Sequence, residues 1–430
     1  SYNGRMRLIL LSSLLTATIF GAAPARPTFY KDVLPILQNR CQGCHRSGEA
    51  APMAFLTYEG TRPYAAAIRQ AVVSKKMPPW GSDGLHGKFK NDPTLSDDER
   101  NTLMAWAETK APAGNPKQAP APKTYVDGWN IGQPDVVVAM TKAYSVPATG
   151  TIDYTRFILP LNFTEDRWIA ATEVRPGNRA VVHHVIAYVR EPGSQWLRSE
   201  IPGEPIVKVS KTDRGARFWL GAYAPGVPAL PAEPGRAIRV KAGSDVVFEM
   251  HYTTNGQPAT DLTKFGIVFA KAPPKEVVTT IGVDNNRFVI PPGAEAHEVK
   301  GRWEVPNEMT LVSLTPHMHL RGKDFRYEAT YPTGESEVLL NVPRYDFNWQ
   351  HSYVFAQPKV LPAGTVITVT AHFDNSPNNK FNPDPKAEVR YGDQSWEEMM
   401  IGFGTVAYDA KNVDKNMLAP RKPAPKPAAE

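Results

Sequence analysis

The sequence predicts a small all-helical unit followed by a long all-β region. Three observations carry this. Before about residue 113, apolar residues recur at helical spacing, whereas beyond residue 125 they fall in short alternating runs broken by turn residues. The composition, with 41 Pro, 31 Gly and 16 Tyr among 430 residues, suits many short strands joined by turns. The length is that of about three domains, each able to bury its own core. The formal charge of +6 is spread along the whole chain with no basic block interleaved with aromatics, so no nucleic-acid partner is expected.

The first element is a secretory signal. Residues 6–25 open with Arg7, continue through an apolar run from 8 to 20 and end in Ala23-Pro24-Ala25. Residues 1–25 are assigned to it, and the chain is expected to be exported, periplasmic or extracellular. The run is short for a membrane span, so a membrane is expected as partner only if the signal stays uncleaved. Residues 27–113 form the helical unit. Its first helix carries Val33, Ile36 and Leu37, with Pro35 in the opening turn. The second begins near Thr61 and repeats Tyr64, Ala67, Ile68, Ala71 and Val72. The third opens with Ser96 and Glu99, a capping-box pair, and presents Leu103, Trp106 and Ala107 on one face. Residues 114–124 read as a Pro/Ala linker. From 125 to 410, runs such as Thr155-Arg156-Phe157-Ile158-Leu159 and Val366-Ile367-Thr368-Val369-Thr370 are strands, which argues for one or two antiparallel sandwiches. Residues 411–430 read as a disordered Pro-rich tail.

The only two cysteines stand in Cys41-Gln42-Gly43-Cys44-His45. Two thiols separated by two residues can form thioethers to both vinyl groups of one porphyrin, and the adjoining imidazole can then ligate the iron, so this reads as a covalent haem c site. A redox CxxC needs a βαβ context missing here, and tetrahedral zinc needs further cysteines that the chain lacks. Met77, in Lys75-Lys76-Met77-Pro78-Pro79-Trp80, is the expected second axial ligand, with Met53 and Met104 as competitors. Helix, CxxCH, helix, Met loop and final helix come in an order that resembles a class I type cytochrome c domain.

Eight of the ten histidines lie beyond residue 125. His183 and His184 are adjacent, and neighbours on a regular strand point to opposite faces, so they can share one ion only if the strand bulges or different ring nitrogens are used. His251 stands alone before Tyr252. His317 and His319 flank Met318, and alternate strand residues face one side and can chelate. Imidazoles joined by a thioether, without thiolate or carboxylate, favour copper.

The order His-His, single His, His-x-His and then a Met after Glu397-Glu398, at similar intervals, resembles the copper type II monooxygenases, the family of peptidylglycine and dopamine hydroxylating enzymes. The resemblance covers residues 125 to 410. It implies two tandem jelly-roll sandwiches, 125–275 and 276–410, and two copper ions. His183, His184 and His251 match the electron-storing copper. His317, His319 and Met399 match the copper that binds O2 and attacks substrate, which makes these three the expected catalytic residues. Met400 competes with Met399.

The chain departs from the family in having no spare cysteines for disulfides. Thr315 stands where the peptidylglycine enzyme has its carboxylate-binding arginine, and Ile401 and Phe403 where it has Asn and Tyr, so a neutral or apolar C–H substrate is expected. His351 and His372 match no ligand and read as supporting or structural; His86 and His297 read as surface residues. The leading expectation is therefore an exported haem- and copper-containing monooxygenase whose haem relays electrons from a redox donor to copper. Its first rival is a periplasmic c-type cytochrome that transfers electrons and holds copper without hydroxylase activity. A second is a carbohydrate- or partner-binding β module carrying a haem.

Overall fold

The structure, a computed structural model, describes residues 26–420 apart from 50, 127, 208–217, 225–228 and 230–232. The expected signal, residues 1–25, and the last ten residues of the expected tail lie outside the described residues. The fold is largely β, built from several sheets packed as sandwiches, with short helices gathered near its start.

A turn of π-helix at Phe29–Val33 runs into the helix Leu34–Arg40, with a proline in its first turn. Tyr58–Thr61, Arg62–Tyr64 and Ala65–Val73 make a second, broken helix. The third, Asp97–Glu108, starts at Ser96 with both capping-box hydrogen bonds made. Phe29, Leu37, Ile68, Leu103 and Trp106 form the helical core. These pieces do not amount to a full cytochrome c domain, which corrects that expectation. The chain between Ala65–Val73 and Asp97–Glu108 leaves the helical unit and docks on the β region instead. The Trp80 and Phe89 rings lie 4.5 and 5.4 Å from the ring of Tyr353. The Lys90 amide donates to the Val354 carbonyl at 2.9 Å, and the Ala356 amide to the Lys88 carbonyl at 2.8 Å. The physical reason is the edge. Tyr353–Leu361 is the last strand of its sheet, so its outer backbone groups need partners, and the segment supplies them together with an aromatic cover.

One sheet of eight strands runs from Val136–Ala139 at one edge to Tyr353–Leu361 at the other. It crosses from the first β half to the second through a short parallel pairing of Arg236–Val240 with Glu276–Asp284. Each half is completed by a four-stranded sheet, one holding Val182–Arg190 and Asp245–Tyr252, the other Gly322–Thr330 and Val366–Phe373. Alternation sets the faces. Ile367, Val369, Ala371 and Phe373 are buried and their neighbours half-exposed, so every second residue feeds the second core. The first core gathers around Phe157, Val185, Phe248 and Phe265. Asp245–Tyr252 is buried on both faces because a loop carrying Trp196, Leu197 and Ile206 covers its outer side. Glu249 is buried there against Arg156, whose Nε donates to its carboxylate at 2.7 Å.

After the last strand, Ile401–Asp409, the chain makes a 3-10 turn at Ala410–Asn412 and packs Leu418 on the second core. Among the described residues no helix is long and apolar enough to cross a membrane.

Candidate metal centres

His183 and His184 sit near the start of Val182–Arg190, paired with Asp245–Tyr252. The register breaks between Val182 and His184, so Val182 faces Tyr252 and His184 faces His251, with His183 left over. The irregularity turns both adjacent imidazoles toward His251. Nδ1 of His183 lies 3.1 Å from Nδ1 of His184 and 3.3 Å from Nδ1 of His251. Two nitrogens each about 2.0–2.1 Å from one ion, at a near-tetrahedral angle, lie roughly 3.2–3.4 Å apart. Among the described residues this is the one group of three His, Cys, Asp or Glu residues drawn together closely enough to hold a metal.

The outer nitrogens have partners as well. His184 Nε2 lies 3.1 Å from the Tyr154 hydroxyl, and His251 Nε2 lies 3.4 Å from Ser395 Oγ. The Asn348 side chain bonds His183. With Nδ1 turned inward as an acceptor, His184 Nε2 carries the proton and donates to Tyr154, which fixes the tautomer a metal ligand needs. Loss of water pushes His183 down to about 4 and His251 to about 3, and holds His184 well below the ordinary imidazole range. Burial therefore favours the neutral form of all three imidazoles, the form that binds a metal.

His317 ends the strand Met309–His317. The expected regular strand through His319 is not found. The Tyr345 hydroxyl accepts the Met318 amide at 3.0 Å and Glu398 accepts the His319 amide at 2.8 Å, so side chains take the bonds that a neighbouring strand would have made. The two rings still meet, with centroids 5.2 Å apart and planes at 87°. Their polarity is the reverse of the first set. His317 Nδ1 lies 2.7 Å from Gln350 Oε1, which leaves Nε2 as its free nitrogen, and His319 Nδ1 lies 3.3 Å from the Glu397 carbonyl, with the Gln394 carbonyl as a further partner of the His319 ring. Burial lowers both pKa values. Ile401, two residues after Met399, is the register partner of His317. Met400 is wholly buried in the second core, whereas Met399 is only half-buried.

The two sets share one aromatic compartment. Tyr154 stacks on His251 at 4.8 Å and lies 6.4 Å from His319, while Phe347 is 5.3 Å from His183 and 6.0 Å from His319. A cavity of about 310 Å³ between the sheets is lined by both His184 and His317, with Trp219 and Leu220 as apolar walls. Neither Tyr154 nor Phe347 was expected from the sequence, since a single aromatic in a strand or loop has no local signature. Glu398, next to the expected ligand, carries the amides of His319 and Arg321 on one buried carboxylate, whose pKa burial pushes up to about 8.

Cys41 and Cys44 are free thiols on the turn after Leu34–Arg40. Burial pushes the Cys41 thiol up to about 12 and raises Cys44 too, the opposite of the depressed thiol of a redox CxxC. His45 stacks on Phe55 at 4.4 Å, and its Nδ1 lies 3.2 Å from the Met53 carbonyl, so Nδ1 carries the proton and Nε2 is free. Beside this turn lies a cavity of about 280 Å³ whose walls include Gly43, Cys44, Pro78 and Pro79. A Cβ placed on Gly43 would meet nothing within 4 Å. Among the described residues, four buried side-chain polar atoms without a hydrogen-bond partner belong to residues lining this cavity: Arg46 Nε, Trp80 Nε1, Tyr223 Oη and His351 Nε2. That concentration of unmet polar groups marks a place built for something polar. Met77 is half-buried just before the two lining prolines. His372 lies elsewhere, 2.7 Å from Asp324, and His86 is bonded to Asp83. His297 is half-buried at the start of the strand His297–Glu304.

No family model matches the chain, and no curated protein matches it either. Among solved structures it is similar to an infectious bursal disease virus particle of the Gx strain, at 9% identity over 65% of this chain and 74% of that one, with a TM-score of 0.20. It is also similar to the major capsid protein P2 of bacteriophage PM2, at 7% identity over 64% and 98% of the two chains, with a TM-score of 0.25. An allantoicase is similar at 10% identity over 54% and 79%, with a TM-score of 0.17. Scores this low carry no argument about function. They do not supply the expected relatives either. The expected membership of the copper type II monooxygenases, fused to a cytochrome c domain, is therefore corrected: no family or curated match supports it. Among the described residues, no second cluster of three His, Cys, Asp or Glu accompanies the first. The expected hydroxylase activity falls with it.

Proposed function

We propose that this chain is an exported electron-transfer protein that carries a c-type haem and holds copper, the first rival drawn from the sequence. The observation that carries the reading is the convergence of three neutral imidazoles, His183, His184 and His251, with Nδ1 atoms 3.1 and 3.3 Å apart. Three nitrogens with no carboxylate suit copper in either of its common oxidation states. His317, His319 and Met399 supply a second copper site, where the thioether favours Cu(I). The β region is read as two tandem jelly-roll sandwiches, 125–275 and 276–410, each providing one set.

Haem is read on the sequence CQGCH and on three features that fit it: the neutral thiols, the free Nε2 of His45 and the open face over Gly43. Cys41 and Cys44 would hold the haem through thioethers, each sulfur bonding to a vinyl carbon and each thiol hydrogen passing to the adjacent one, so no oxidant would be needed. The sequence offers Met77 as the sixth ligand. Bound haem and copper supply one-electron redox chemistry; the chain's own residues fix the tautomers, exclude water and hold the ligand rings. A redox donor to the haem is the expected partner, and the periplasm or the cell exterior the expected site.

The test is the metal and haem content of the full chain, expressed in a host that exports it and attaches haem. One haem that survives denaturation and up to two coppers retained through dialysis are expected. A chain that retains neither overturns the reading.

A further inference from the structure

We propose that the cavity where the helical unit, the docked segment and both β halves meet is a binding site for a small hydroxylated carboxylate, separate from the haem and from both histidine sets. The cavity measures about 280 Å³. Its wall includes Gly43 and Cys44 but neither Cys41 nor His45, so it is not the seat of a haem that both thiols hold and His45 ligates. Each of the four pieces that meet there brings one buried polar atom without a partner: Arg46 Nε from the turn after the first helix, Trp80 Nε1 from the docked segment, Tyr223 Oη from the first β half and His351 Nε2 from the second. Tyr223 is 8% exposed and His351 6%. Ordinary packing avoids leaving the polar atoms of four separate elements unmet around one space, because each bare buried group costs free energy.

The four atoms define what the ligand must offer. Arg46 Nε, Trp80 Nε1 and the Tyr223 hydroxyl are donors without acceptors, and burial raises the Tyr223 pKa to about 12, so the phenol keeps its proton. His351 is the acceptor. Its ring bonds the Pro79 carbonyl, which takes the Nδ1 proton and leaves a lone pair on Nε2, while burial lowers its pKa to about 4. The Trp80 and His351 rings lie 5.7 Å apart, and one hydroxyl can accept from an indole N–H while donating to an imidazole nitrogen.

The other end calls for an anion. Arg179 links Arg46 to Tyr223: its guanidinium carbon stands 5.8 Å from the centre of the Tyr223 ring, and it pairs with Glu49, which also takes Arg46 at 2.9 Å. One carboxylate thus serves two guanidiniums and leaves a positive charge over. The second lining carboxylate, Glu173, is taken up by the Asn130 amide and side chain at 2.6 and 2.8 Å, and Arg40 is matched by Glu99. A carboxylate from outside supplies the acceptors that Arg46 and Tyr223 lack and balances the charge, and a hydroxyl on the same molecule serves Trp80 and His351. A cavity of this size takes a molecule of a few carbon atoms.

The experiment titrates the exported full chain, with the haem and copper it retains, against malate and lactate by calorimetry, with succinate and propionate as counterparts lacking the hydroxyl. The hydroxy acids should bind and raise Tm, since a ligand held by four elements stabilises only the assembled fold. The counterparts should bind roughly tenfold more weakly, because His351 Nε2 stays bare. Tyr223→Phe deletes an unmet hydroxyl, so Tm without ligand should not fall, while affinity for all four acids should drop. Arg46→Gln should abolish binding, and His351→Phe should erase the difference between malate and succinate. A set of acids that neither binds nor shifts Tm overturns the site. Equal affinity for malate and succinate, or for malate and inorganic phosphate, overturns the ligand class. Binding seen only in chain made without haem attachment shows that haem fills the cavity, which overturns this inference and leaves the haem reading standing.

Discussion

The two histidine sets of the β region are built to opposite polarity. At His183, His184 and His251 the three Nδ1 atoms face inward and the outer nitrogens face Tyr154, Ser395 and Asn348. At His317 and His319 the Nδ1 atoms are spent on Gln350 and on the Glu397 carbonyl, and Nε2 of His317 is left for a ligand. The difference follows from the backbone. A strand irregularity can turn neighbouring rings inward by the nitrogen nearer the chain, whereas rings at a strand end reach a common point only by their tips. The first set is complete in imidazole; the second needs a thioether.

The most forceful way to break that comparison is His184→Ala. It should remove one copper equivalent and weaken binding at the first set by more than the roughly 10–100-fold expected from losing an outer partner, while the second equivalent stays bound. Competition against a copper chelator measures this; simultaneous loss of both equivalents would make the two sets a single site. The methionines come next. Met400→Ala empties a fully buried core position and should cost about 2–5 kcal/mol in denaturant unfolding. Met399→Ala should leave stability nearly unchanged and weaken Cu(I) retention at the second set. Copper retention that falls in Met400→Ala and not in Met399→Ala would reverse the ligand assignment.

Metal removal sharpens the contrast in stability. Free copper at a hundredfold excess over the dissociation constant stabilises the folded state by about 2.7 kcal/mol per site, so chelation should lower Tm in the parent and by a smaller step in His184→Ala. The smallest effect expected is that of Tyr154→Phe. It keeps the ring stacked on His251 and removes the hydroxyl beside His184 Nε2, so affinity at the first set should fall by about tenfold with no change at the second. Equal weakening at both sets would show that Tyr154 acts through the shared compartment.

Much of the chain's local structure was legible beforehand. Ser96 and Glu99 announced a helix start because both halves of a capping box lie within four residues. The strands were legible from alternation. His183 and His184 were recognised as able to share one ion only through a bulge, and the register does break there. The docking of segment 78–93 was not legible, because nothing local says that Trp80 and Phe89 bury against Tyr353, on a strand edge roughly 270 residues later, rather than within their own helical unit. Tyr154, Gln350 and His351 were missed or set aside for the same reason.

By itself the sequence determined which residues are chemically able to bind: the cysteine pair with its histidine, the five histidines of the two sets and a methionine after two glutamates. Those capacities are properties of side chains and short spacings. Only the tertiary structure decided which nitrogen of each ring is free, that Met400 is committed to the core, and that the buried Nε2 of His351 has no hydrogen-bond partner. Which nitrogen is free depends on the hydrogen-bond partner of the other, and those partners, Tyr154, Gln350 and the carbonyls of Met53 and Pro79, reach the rings through chain folding and packing that no local spacing records.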